Sequence, residues 1–81
     1  MEIRALVVDD SGIMRKLVMR SLLESKLAQF MFTEAKDGVE ALAAFSANPI
    51  NMIFVDWNMP NMNGIDFVKE VRKIEKEHVP V

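Results

Sequence analysis

The chain has 81 residues, with ten basic and twelve acidic side chains, a net charge of −2, one histidine and no cysteine. That length fits one domain at most, the charge balance gives no electrostatic case for nucleic acid or an anionic membrane, and the lack of cysteine excludes disulfides, thiolate catalysis and zinc-finger spacing together. The first apolar run, Ala5 to Val8, is too short for a signal peptide and is cut at once by Asp9 and Asp10. Nothing approaches the roughly 20 apolar residues that span a bilayer, so a soluble cytoplasmic protein is expected.

Ile3 to Val8 reads as the first strand. Its apolar run Ala5-Leu6-Val7-Val8 has no alternation, the habit of a strand covered on both faces. After the acid pair Asp9-Asp10, Ser11 can cap a helix, and Ile13, Met14, Leu17, Val18 and Leu22 fall at the spacing of an apolar stripe. Arg15, Lys16 and Arg20 lie off that stripe and are expected on a solvated face. Phe30 to Ala35 is a second strand, and Thr33 and Glu34 within it suit an edge position. Asp37-Gly38 turns the chain. Asp37 and Glu40 resemble a capping box for a helix over Val39 to Ser46, which Asn48-Pro49 stops.

Met52 to Val55 is again a short apolar run, expected to be a strand buried on both faces, and it leads into Asp56 and the turn residues Asn58, Pro60, Asn61, Asn63 and Gly64. A third helix carries Ile65, Phe67, Val68, Val71 and Ile74 at helical spacing, and His78-Val79-Pro80-Val81 looks like the opening of a fourth strand. This alternation of strand and helix implies an α/β fold with a parallel sheet and right-handed crossovers. The two most apolar strands should be neighbours, which gives the order 2-1-3 with helices on both faces. The crevice between strands one and three, at their carboxyl ends, is where such sheets bind ligands, and Asp9, Asp10 and Asp56 all fall there.

Three converging carboxylates repel one another, at about 1 kcal/mol per pair at ~4 Å in water and several times that in a partly buried cleft. Protons or a divalent cation must compensate. The available ligands are hard oxygens, including the peptide carbonyl of Asn58, and they select Mg²⁺, or Mn²⁺, over zinc or copper. A metal beside a carboxylate also neutralises an incoming phosphoryl group, so one of the acids can act as nucleophile and form an acyl phosphate.

Asp9-Asp10 after a first strand, and VDWNMPNMNG with Asp56 after the third, resemble the receiver domain of two-component response regulators, in particular its chemotaxis members. The resemblance covers essentially the whole chain. It implies a flavodoxin-like fold in which residues 1–81 are the N-terminal portion of a single receiver domain. It further implies that Asp56 accepts a phosphoryl group from a phosphohistidine of a sensor histidine kinase, with Mg²⁺ bound directly by Asp10, through water or a second contact by Asp9, and completed by Asp56 and the Asn58 carbonyl. Catalysis on that pattern is at most Mg²⁺-dependent autophosphorylation and autodephosphorylation at an aspartate. Asn63 stands where many relatives have Asp.

A full receiver continues through two more strands and helices, which bring a Ser or Thr and a Lys to the phosphoryl group, whereas this sequence ends at Val81. The third strand is then expected to be an exposed apolar edge through which the chain forms a homo-oligomer, with the Val79-Pro80-Val81 tail crossing to a partner. The alternative reading from the same residues is a half-fold, natural or engineered, that folds and self-associates while its acids stay idle. An aspartyl phosphohydrolase of another family fits poorly, because such enzymes place their two acids one residue apart and Asp9 and Asp10 are adjacent. Dinucleotide and P-loop functions fail for want of glycine.

Overall fold

A computed structural model describes residues 2–56, 64–74 and 80–81. The elements run β1 (Glu2–Val8), α1 (Gly12–Ser25), β2 (Gln29–Ala35), α2 (Gly38–Ala47), β3 (Met52–Val55) and α3 (Gly64–Ile74). The three strands are parallel in the order β2-β1-β3, as their apolar patterns predict. Register is the property that matters for function. Val8 pairs with Ala35 on one side and with Val55 on the other, so all three strands end at one level.

Side-chain alternation along β1 divides the fold into two layers. Leu6 and Val8 join Ala35, Ile53, Ala41 of α2, and Phe67 and Val71 of α3 in the buried core. Ala5 and Val7 are as fully buried and point to the opposite face, where α1 contacts β1 and β2. The helix ends follow from their residues. The Ser11 hydroxyl accepts the Met14 N–H at 3.2 Å, and Asp37 Oδ1 accepts the Glu40 N–H at 2.8 Å. Glu40 reaches back to the Lys36 N–H at 3.3 Å, one residue short of a strict capping box. Asn48 closes α2 by donating its backbone N–H to Ala44 O at 3.0 Å and its side-chain amide to the same oxygen at 2.9 Å.

Two expectations are corrected by the structure. The sheet-facing side of α1 is Arg15, Val18, Met19 and Leu22, while Ile13, Met14 and Leu17 are exposed. Apolar spacing fits two overlapping faces here, and Arg15 takes an inner position because its stem packs while its head group is bonded. The strand covered on both faces is β1 alone. In β3 only Ile53 is fully buried: Val55 packs at the edge of the core that holds Leu6 and Val8, while α1 lies over β1 and β2 and leaves Met52 and Phe54 lining an open groove with Val7, Val18 and Val81. At the C-terminus the Pro80 carbonyl accepts the Ile53 N–H at 2.9 Å, which sets it beside β3. His78 and Val79 lie outside the described residues.

Candidate functional site

Because β1, β2 and β3 end level, the residues that follow Val8 and Val55 are neighbours across the sheet edge. The Asp9 N–H donates to Ala35 O at 3.1 Å and the Asp56 N–H donates to Val8 O at 2.9 Å. Each acid is therefore anchored by a ladder bond while its side chain projects beyond the strands. Asp10, next along the turn, is exposed, and Asp9 and Asp56 are half-buried. One carboxylate oxygen from each of Asp9, Asp10 and Asp56 lies within 4.8 Å of the other two.

The turn from β1 into α1 is fixed by Asp9 and Ser11 together. The Ser11 N–H donates to Asp9 Oδ1 at 2.9 Å, and the Ser11 carbonyl accepts the first helical bond from the Arg15 N–H at 3.0 Å. One oxygen of Asp9 is thus engaged with the backbone. A cluster of three carboxylates at that spacing suits a small hard cation, because each oxygen donates one lone pair and the exposed side of the cluster has room for the waters that Mg²⁺ retains. The donor set fits such an ion.

Three residues at the rim, Arg15, Lys16 and Glu34, carry no functional signal in the sequence. The Arg15 Nη1 donates to the Asp9 carbonyl at 2.6 Å and its Nε to Glu34 Oε1 at 3.0 Å, while Lys16 Nζ donates to Glu34 Oε2 at 3.0 Å. These two cations hold the Glu34 carboxyl below the usual range, the Lys16 bond contributing most and the Arg15 bond next. The available signal was strand parity, since Glu34 pairs with Val7 and so falls on the face that α1 covers. The remaining residues predicted for the site, Asn58 with its carbonyl ligand and the turn residues Pro60, Asn61 and Asn63, lie outside the described residues, as does Trp57. Gly64 opens α3.

Among the described residues no helix is long and apolar enough to cross a membrane. The family model of the response regulator receiver domain matches residues 5–81. Chemotaxis protein CheY1 of Helicobacter pylori is 41% identical over 80 residues, covering 96% of this chain and 63% of that protein. Among solved structures, the response regulator protein TrrA of Thermotoga maritima in complex with Mg²⁺-BeF superposes with a TM-score of 0.82 at 32% identity, covering 91% of this chain and 62% of that one. The complex of histidine kinase ThkA with TrrA gives a TM-score of 0.79 at 31% identity, covering 96% of this chain and 65% of that one. The chain spans less than two thirds of the length of each of these relatives. By family match, sheet order and overall similarity, the chain belongs to the response regulator receiver domains.

Proposed function

We propose that residues 1–81 form the N-terminal portion of a single receiver domain whose Asp56 accepts a phosphoryl group from a phosphohistidine of a sensor histidine kinase. The observation that carries this reading is the convergence of Asp9, Asp10 and Asp56 within 4.8 Å at the carboxyl edge of the sheet. The receiver family match supports it, and the kinase complex of TrrA supports the class of donor. Asp9, Asp10 and Asp56 hold Mg²⁺, or Mn²⁺, and the Asn58 carbonyl is the fourth protein ligand by resemblance. The bound cation supplies charge neutralisation that lets an anionic donor approach an anionic acceptor.

Asp56 is the nucleophile by the receiver resemblance: it follows β3 directly and is anchored by its backbone N–H, whereas one carboxylate oxygen of Asp9 accepts the Ser11 N–H. Its carboxylate oxygen attacks phosphorus, the P–N bond of the donor breaks, and the electron pair leaves on the imidazole nitrogen. The product is an acyl phosphate on Asp56, which water later hydrolyses to restore the carboxylate. The test uses phosphoramidate, a small P–N donor, with intact-mass detection. One phosphoryl group should add in the presence of Mg²⁺ and none after chelation. Addition that persists in Asp56→Asn counts against the reading.

A second reading, a self-associating fragment with idle acids, is favoured by one observation. Met52, Phe54 and Val55 are half-exposed and line an apolar groove of about 430 Å³. A light-scattering mass equal to the monomer at micromolar concentration removes it.

A further inference from the structure

Arg15 hydrogen-bonds both to the acidic turn, at the Asp9 carbonyl, and to Glu34 on β2. Its side chain is 19% exposed and the Glu34 side chain 32%, so both are partly withdrawn from water. The guanidinium lies over Gly12, where an added Cβ would sit 3.3 Å from Nη2. The bond to the Asp9 carbonyl is short, 2.6 Å, and charge-assisted. Asp9 is thereby held at three points, its N–H by Ala35, its side chain by the Ser11 N–H and its carbonyl by Arg15. The first two bonds fix the strand end and the carboxylate rotation. The third ties the peptide between Asp9 and Asp10 to β2 through Glu34, and this peptide sets where both carboxylates point.

We propose that Arg15, braced by Glu34, is a positioning residue for the Asp9-Asp10 pair: it fixes the β1–α1 turn in the geometry that binds a divalent cation. This rests on the metal reading of the three acids given above. Its sign makes it distinctive. As a bare charge near the cluster, a guanidinium repels a divalent cation, so deleting it should tighten Mg²⁺ binding. As a brace, its loss frees the Asp9 carbonyl and the turn, and binding should weaken, as it does when groups that orient metal ligands are removed. Lys16 remains on Glu34 in either case, so β2 and α1 stay linked.

The experiment is calorimetric titration of the 81-residue chain with Mg²⁺, on wild type, Arg15→Met, Arg15→Lys and Asp10→Asn, with circular dichroism to confirm that each is folded. Arg15→Met should weaken Mg²⁺ binding on the order of tenfold. Arg15→Lys keeps the charge but lacks the fork that spans Asp9 and Glu34, and it should also bind more weakly than wild type. Because affinity is read on folded protein, a loss of stability alone leaves it unchanged. Equal or tighter binding by Arg15→Met, or wild-type affinity in Arg15→Lys, overturns the positioning role. Should Arg15→Met not fold, Arg15→Lys decides by the same criterion. Wild type that binds no Mg²⁺, or Asp10→Asn that binds as wild type does, overturns the metal reading itself and this role with it.

Discussion

Neutralising Asp10 should stabilise the chain without Mg²⁺ and abolish its response to Mg²⁺. The carboxylate oxygens of Asp9, Asp10 and Asp56 lie within 4.8 Å of one another. At that separation two unit charges repel by about 0.9 kcal/mol at the dielectric constant of water, the appropriate value because Asp10 is exposed. Asp10→Asn removes two such pairs. Screening at physiological salt roughly halves each, and the Asp9-Asp10 pair, adjacent in sequence, repels in the unfolded chain as well. A net gain of about 0.5 to 1 kcal/mol remains, or about 2 to 8 °C in melting temperature for a domain of this size. Wild type should instead gain about 2.7 kcal/mol at Mg²⁺ one hundred times its dissociation constant, so the order of stability reverses on adding the ion. Thermal unfolding followed by circular dichroism, with chelator and with Mg²⁺, reads both effects. The reasoning is refuted if Asp10→Asn is the less stable in chelator, or if wild type melts at the same temperature in both buffers.

Phe67 is fully buried between α3 and the sheet, and Phe67→Ala should cost about 3 to 5 kcal/mol. That equals what a core of this size supplies, so the far-UV spectrum should be that of an unfolded chain at 25 °C, and a folded spectrum contradicts the core placement. Lys26 ends α1 in the left-handed region at φ 56°, where a Cβ is disfavoured. Lys26→Gly should gain about 0.5 to 1 kcal/mol in urea unfolding, and a lower midpoint contradicts it. Glu34 has its carboxyl held below the ordinary 4.5 by Lys16 and Arg15. A depressed folded-state value contributes stability that is present above 4.5 and lost as pH falls through the folded value. Wild type should therefore lose more stability than Glu34→Gln on acidification through that window, and parallel losses contradict the ion pairs.

The strand ends were the most legible part of the sequence. Two uninterrupted apolar runs, each closing on aspartate, are enough to place Asp9 and Asp56 side by side once the strands are parallel and adjacent, and Val8 pairs with Val55 as this requires. Phe67 and Val71 were readable from helical spacing, because they fall on one apolar stripe of α3 and that stripe is the buried one. The α1 face was less legible because Val18 and Leu22 belong to two overlapping stripes, and residue type favoured Ile13 and Leu17 over Arg15. An arginine whose stem packs while its head group bonds a carbonyl and a carboxylate has no hydropathy signal. The same limit hid Glu34, which looked like an intruder in β2 and proves to be the acid that braces α1. The apolar run of β3 suggested burial on both faces, but burial depends on what covers a strand, and α1 sits over β1 and β2.

Locating the phosphoryl group among three crowded acids tests the account most directly. The chain is treated with phosphoramidate and Mg²⁺, then with borohydride, which reduces an acyl phosphate to an alcohol, and the reduced position is read by peptide mass spectrometry. The account predicts a single reduced residue at Asp56, absent without Mg²⁺. Reduction at Asp9 or Asp10, or a phosphoryl group that resists borohydride on another side chain, contradicts it.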